Sequence, residues 1–152
     1  MTPSPSRGVR NNNPGNIDYN KRNDWQGQLG LEPKVGKSTP RFALFDSPEN
    51  GIRALAKLLI NYRGKDGEPG VGAPGIDTVL ETIHRWAPPV ENDTGAYVAQ
   101  VAEAVGVSPI QSINIKDPRT LTAMVTAIIK HENGYAPYAP AVISEGVRRA
   151  LA

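Results

Sequence analysis

At 152 residues, with 17 Lys and Arg against 15 Asp and Glu, the chain is most simply one nearly charge-balanced domain. That length lets it bury about two thirds of the surface its unfolded form exposes. The lack of cysteine excludes a disulfide framework, a thiolate nucleophile and a thiolate metal site, and no run of Lys and Arg marks a nucleic-acid groove. No apolar run reaches the length of a membrane span and the first residues lack the apolar core of a signal peptide, so the expectation is a soluble monomer that needs no cofactor.

Residues 1–6, with two prolines and two serines, read as a disordered lead, and residues 7–152 as a single domain. Residues 7–19 hold too many Asn, Gly and Pro for a helix and predict an ordered loop. The loop's Asn11, Asn13 and Asn16 offer uncharged donors and acceptors suited to sugar hydroxyls and acetamido groups, although Asn-rich turns also serve as plain turns. Residues 24–45 predict a small hairpin or irregular β element, with a short strand at residues 41–45 and Trp25 as a core or ring-stacking residue.

Ser47, Pro48 and Glu49 signpost a helix start, and Ile52, Leu55, Ala56, Leu59 and Ile60 make its buried face. Asp46 and Glu49 are explained by the positive end of that helix, or else are a second catalytic carboxylate. The glycine-rich residues 64–75 form a loop without phosphate-cradle spacing. Thr78 and Glu81 predict a capping box for a helix through Trp86, ended by Pro88 and Pro89, and His84 there has no metal-ligand partner. A helix from Thr94 to Val105 turns Val98, Val101 and Val105 inward and stops at Gly106.

The most informative stretch is residues 117–134. Asp117 caps a helix with Pro118 at its first position, and Gly134 ends it. Leu121, Val125, Ile128 and Glu132 recur at helical spacing, so an acid shares the apolar face and falls in the last turn. Apolar surroundings and the negative helix end both disfavour its charged form, the condition for a general acid in glycosidic cleavage. The alternative is a frayed, solvated helix end. His131 adjoins Glu132 and so points elsewhere, which argues against a zinc pair. Tyr97 and Tyr135 are further candidates for a glycan groove, by ring stacking or hydroxyl donation. A last helix presents Ala141, Ile143, Val147 and Leu151 as its apolar residues.

Arg10-Asn-Asn-Asn-Pro-Gly-Asn-Ile17, Trp25-Gln-Gly27, residues 42–45, Ser47-Pro48 with Gly51-Ile-Arg-Ala-Leu55, and Arg85-Trp-Ala-Pro88 followed by Glu91-Asn-Asp-Thr94 resemble a family of phage and prophage proteins of the virion or of lysis. Ile128-Ile-Lys-His-Glu-Asn-Gly134 is similar to the catalytic helix end of lytic transglycosylases and related lysozyme-like enzymes, with Asn133 where Ser is usual. Asn13-Pro-Gly-Asn-Ile17 and Phe42-Ala-Leu-Phe45 resemble later pieces of those enzymes, in rotated order. The resemblance implies a mainly α, lysozyme-like domain, circularly permuted, that cleaves the β-1,4 bond between N-acetylmuramic acid and N-acetylglucosamine. It implies Glu132 as acid and base, bacterial peptidoglycan as partner, and a phage-encoded protein made in the host cytoplasm that acts on the wall or travels in the virion. A hydrolytic muramidase would need Asp46 or Glu49 as well. The alternative classes are a non-catalytic virion or wall-binding protein, and an adaptor using the glycine-rich loop.

Overall fold

The computed structural model describes residues 5–63, 75–88 and 93–152. Among them are six helices and one two-stranded sheet: α1 (Arg7–Arg10), β1 (Gln28–Leu31), β2 (Ala43–Phe45), α2 (Pro48–Tyr62), α3 (Val79–Trp86), α4 (Thr94–Val105), α5 (Pro118–Asn133) and α6 (Pro140–Leu151). The mainly helical class with a small β element near residues 24–45 is what the sequence predicts. Most of the predicted loop at residues 64–75 and the stop at Pro89 lie outside the described residues.

Helix ends follow local chemistry. Ser47, Thr78 and Asp117 each accept a hydrogen bond from the backbone N–H three residues on, and proline opens α2 and α5. Gly106 and Gly134 end α4 and α5 in the left-handed conformation, which costs glycine nothing.

Helix α5 is the centre of the core. Leu121, Met124, Val125, Ile128 and Ile129 are fully buried on it, against α4 on one side and α6 on the other. Each such side chain contributes about 1.5–3 kcal/mol, and truncating Ile128 to Ala would cost about 2–5 kcal/mol. Helix α2 buries Ile52, Leu55, Ala56 and Leu59 and runs along α6, while Ile60 is only half-buried. The close approach is possible because Gly146 has no side chain: a Cβ there would stand 2.5 Å from Cγ2 of Ile52. On α6, Ile143, Val147 and Ala150 form the inner face, and Ala141 is exposed rather than part of it.

Two expectations for the first residues need correction. Ser6 is not part of a disordered lead: its hydroxyl caps α1 and donates to Oδ1 of Asn133 at 2.6 Å. The segment expected to be all loop begins with the single turn of α1, because that cap outweighs the turn-forming residues that follow. From Asn11 onward the chain is irregular, with Asn12 and Asn16 at positive φ. It lies so close to α2 that a Cβ on Gly51 would stand 1.8 Å from the Asn12 carbonyl oxygen, so only glycine fits there.

The sheet pairs β1 and β2 antiparallel, with Leu31 opposite Ala43 and an irregularity between Gln28 and Gly30. An isolated bridge pairs Asp18 with Phe42 and extends the sheet's edge toward the Asn-rich loop. Trp25 packs, partly buried, against the core.

Candidate active site

Glu132 stands in the last turn of α5, one turn beyond the fully buried Ile128, and its carboxylate is half-buried rather than frayed into solvent. Two neutral donors hold it. The Tyr97 hydroxyl donates to Oε2 at 3.0 Å, and Nδ2 of Asn16 donates to Oε1 at 3.3 Å. A groove of about 570 Å³ opens over it, lined by Asn16, Asp18, Phe42, Tyr62 and Trp86 among others. The site thus draws on α5, α4, the Asn-rich loop, the sheet edge, and the ends of α2 and α3.

Tyr97 has no exposed surface, so it does not stack on a ligand as one of its two predicted roles required. It acts as a hydroxyl donor instead. Its oxygen accepts from Nε1 of Trp86 at 3.1 Å and donates onward to Glu132, and its ring stacks on His131 at 3.6 Å between centroids. Burial first, then the Glu132 charge and the bond to it, push the Tyr97 phenol above its ordinary range, so it remains a donor across the working pH scale.

The three predicted asparagines divide. Asn16 lines the groove and reaches Glu132. Asn11 and Asn13 are buried and turn inward, which corrects their reading as sugar-binding residues. Asn13 brackets the loop by donating to the carbonyls of Ile17 and Ala43 and accepting from the Ile17 N–H. Asn11 donates to Oε1 of Glu32 at 3.0 Å. Backbone groups and a buried acid outcompete solvent for these amides because an unpaired buried amide is costly.

Asp46 and Glu49 do not line the groove. Asp46 accepts from Nδ2 of Asn50 at the start of α2, and Glu49 lies in that helix's first turn, where the dipole favours it. The carboxylate that does line the groove with Glu132 is Asp18, held by Arg41 at 2.5 Å (Nε to Oδ1) and 3.3 Å (Nη2 to Oδ2). Its only sequence signal was alternation: Ile17 is buried and Asp18 exposed where the loop turns into the sheet edge. Tyr135 is half-buried and outside the groove lining.

Two further residues have structural roles that the sequence reading did not find. Asn133 ties the Asn-rich loop to α5. Its Nδ2 donates to the carbonyls of Pro14 and Ile129, both at 2.8 Å, while its Oδ1 accepts from Ser6. Glu32 is a buried acid receiving five bonds: Nε and Nη2 of Arg7, Nδ2 of Asn11, and the backbone N–H groups of Arg41 and Phe42. Among the described residues no cluster of His, Cys, Asp and Glu is arranged to hold a metal, and no helix is long and apolar enough to cross a membrane.

Over 143 residues, 93% of this chain, the sequence is 36% identical to Protein P5 of Pseudoalteromonas phage PM2, and the match covers 79% of that protein. The chain belongs to the family of this phage protein. No family model matches the sequence. The expected phage-associated family is therefore shown at that level.

Proposed function

We propose that the protein cleaves peptidoglycan glycan strands at the β-1,4 bond between N-acetylmuramic acid and N-acetylglucosamine, with Glu132 as acid and then base. The observation that carries this reading is a carboxylate at a rigid helix end, open to a groove and held on both oxygens by neutral donors. Neutral donors fix its direction without the strong preference for the charged form that a guanidinium imposes. Glu132 gives its proton to the leaving oxygen as the C1–O bond breaks. The resulting carboxylate takes the proton of the muramoyl C6 hydroxyl as that oxygen bonds to C1, and an anhydro end forms with no water consumed.

This single-acid route is favoured over hydrolysis because the other groove carboxylate, Asp18, is engaged by Arg41. In a muramidase Asp18, rather than Asp46 or Glu49, would be the second acid, since it shares the groove. The helical framework is read as a lysozyme-like domain with its pieces in rotated order, a rearrangement that is physically reasonable because the ends of a domain usually lie near one another at the surface. The competing reading is a virion or wall-binding protein that holds glycan without cutting it; the Tyr62 and Trp86 rings in the groove would serve either role.

Mass spectrometry of purified peptidoglycan after incubation with the protein separates these readings. Fragments ending in anhydro-muramic acid are expected. Ends heavier by one water would mean a muramidase, and bound but uncut glycan would overturn the enzymatic reading in favour of the binding one.

A further inference from the structure

The side chain of Asn16 is half satisfied. Its Nδ2 reaches Glu132 at 3.3 Å, well beyond the usual length of a bond from an amide to a charged carboxylate, while its buried Oδ1 has no hydrogen-bond partner at all. A buried acceptor left unpaired is costly and calls for a cause. The surroundings of that oxygen supply one. Oδ1 of Asn16, the carbonyl oxygen of Asn13 and Oδ1 of Asn133 converge over Gly8, at 2.9, 2.9 and 2.7 Å from the point where a Cβ would stand. Three acceptors thus share one small space. The Asn13 carbonyl already receives the Asn16 N–H and Oδ1 of Asn133 receives Ser6, so each keeps one lone pair to spare.

Turning the Asn16 amide by half a revolution resolves both faults. Its NH₂ would then turn toward the space it shares with the two oxygens that have spare lone pairs, and its Oδ1 toward Oε1 of Glu132. Two oxygens can pair there only if one carries a proton, and the proton available is that of the Glu132 carboxylic acid. One orientation therefore serves the carboxylate, and the other serves the acid and takes the acceptor out of its cluster of acceptors.

We propose that Asn16 is a positioning residue that reads the protonation state of Glu132 by rotating its amide, donating to the carboxylate and accepting from the acid, and that it favours the acid form. This rests on the reading of Glu132 as the reacting group and adds the means by which the site resets between its acid and base steps. The positive φ of Asn16, +51°, suits the role because asparagine tolerates it better than most residues and the loop is pinned on both sides, by Asn13 and by Asn133. The other titratable or charged groups around Glu132 are Tyr97 on α4, Tyr62 on α2, Asp18 and Arg41 at the sheet edge, and His131 on its own helix, stacked on Tyr97.

The test is an NMR titration of the whole chain, following the Glu132 side-chain carboxyl carbon and the Asn16 side-chain NH₂. The two signals are expected to move with one shared midpoint. N16G, in which glycine keeps the positive φ, should shift the Glu132 midpoint to lower pH by roughly half a unit or more, the scale of one net hydrogen bond. N12G makes the same backbone change at φ +52°, where the amide donates to the Phe45 carbonyl instead, and should leave that midpoint in place. An Asn16 NH₂ signal that stays still while Glu132 titrates would overturn the proposal, as would an unchanged midpoint in N16G. If N16G does not fold, the wild-type NH₂ signal decides alone. Neither readout uses turnover, so uncut peptidoglycan would end the enzymatic reading without touching this result.

Discussion

Glu32 and Glu132 are both sheltered acids, and the protein treats them in opposite ways. Glu32 lies where α1 meets the sheet, with five donors on its two oxygens, two of them from the Arg7 guanidinium. The Arg7 bonds above all, with help from the Phe42 and Arg41 backbone N–H groups and from Asn11, hold it far below its ordinary value of 4.5 against the opposing effect of burial. Such an acid stays charged at neutral and mildly acidic pH and has no lone pair to lend a ligand. Glu132 has two donors, both neutral, and a groove in front of it. If Glu132 reacts as proposed, burial alone does not distinguish a reactive acid from a structural one. What distinguishes them is whether the donors saturate the carboxylate and whether any of them carries charge.

The largest effect on the fold is expected from Glu32→Gln. It leaves Arg7 without its counter-charge and puts an NH₂ against donors, which should cost about 3 kcal/mol in a thermal or denaturant melt. Turnover should persist wherever the variant stays folded. A loss of activity in the folded protein would erase the line drawn between the two acids.

The same residue predicts a pH dependence. Because its folded value is depressed, its stabilisation is complete above the unfolded value near 4.5 and is lost as pH falls from there toward the folded one. Melting temperature in wild type should therefore drop on acidification below about pH 4.5 more steeply than in Glu32→Gln. Parallel curves for the two proteins would contradict the assignment.

A smaller effect should follow at the other acid. Tyr97→Phe keeps the packing and the stack on His131 but removes the donor to Glu132 and the acceptor for Trp86. Turnover should fall about tenfold, as one positioning hydrogen bond of about 1.4 kcal/mol would give, with little change in glycan affinity. Loss of affinity at unchanged turnover would make Tyr97 a binding residue instead. The smallest change is expected from Glu49→Gln, a few tenths to about 1 kcal/mol in stability from weakened helix-start electrostatics, with activity intact. Activity lost only there would move the site to the start of α2.

The difference between the two acids also explains what the sequence could reveal. The position of Glu132 was legible because Asp117, Pro118 and Gly134 fix the helix locally and its 3.6-residue period assigns the face. Glu32 gave no such signal: its partners come from positions 7, 11, 41 and 42, and only the closed fold brings them together. Asp18 escaped notice for the same reason, since it joins the groove through a single bridge to Phe42. Asn11, Asn13 and Asn16 look alike in sequence, yet two are consumed by the protein's own acid and carbonyls, which depends on tertiary neighbours rather than on residue type. The short α1 was missed because one capping serine lay beside a dense run of turn formers.

The most direct test of the central claim compares Glu132→Gln with wild type on purified cell walls, with turbidity and a thermal melt read together. Gln keeps the size of the side chain and one acceptor oxygen but has no proton to transfer, so clearing should fall by about a hundredfold or more while glycan is still bound. Stability should hold or rise slightly, because a negative charge leaves the negative end of α5. Undiminished clearing by Glu132→Gln would contradict the account.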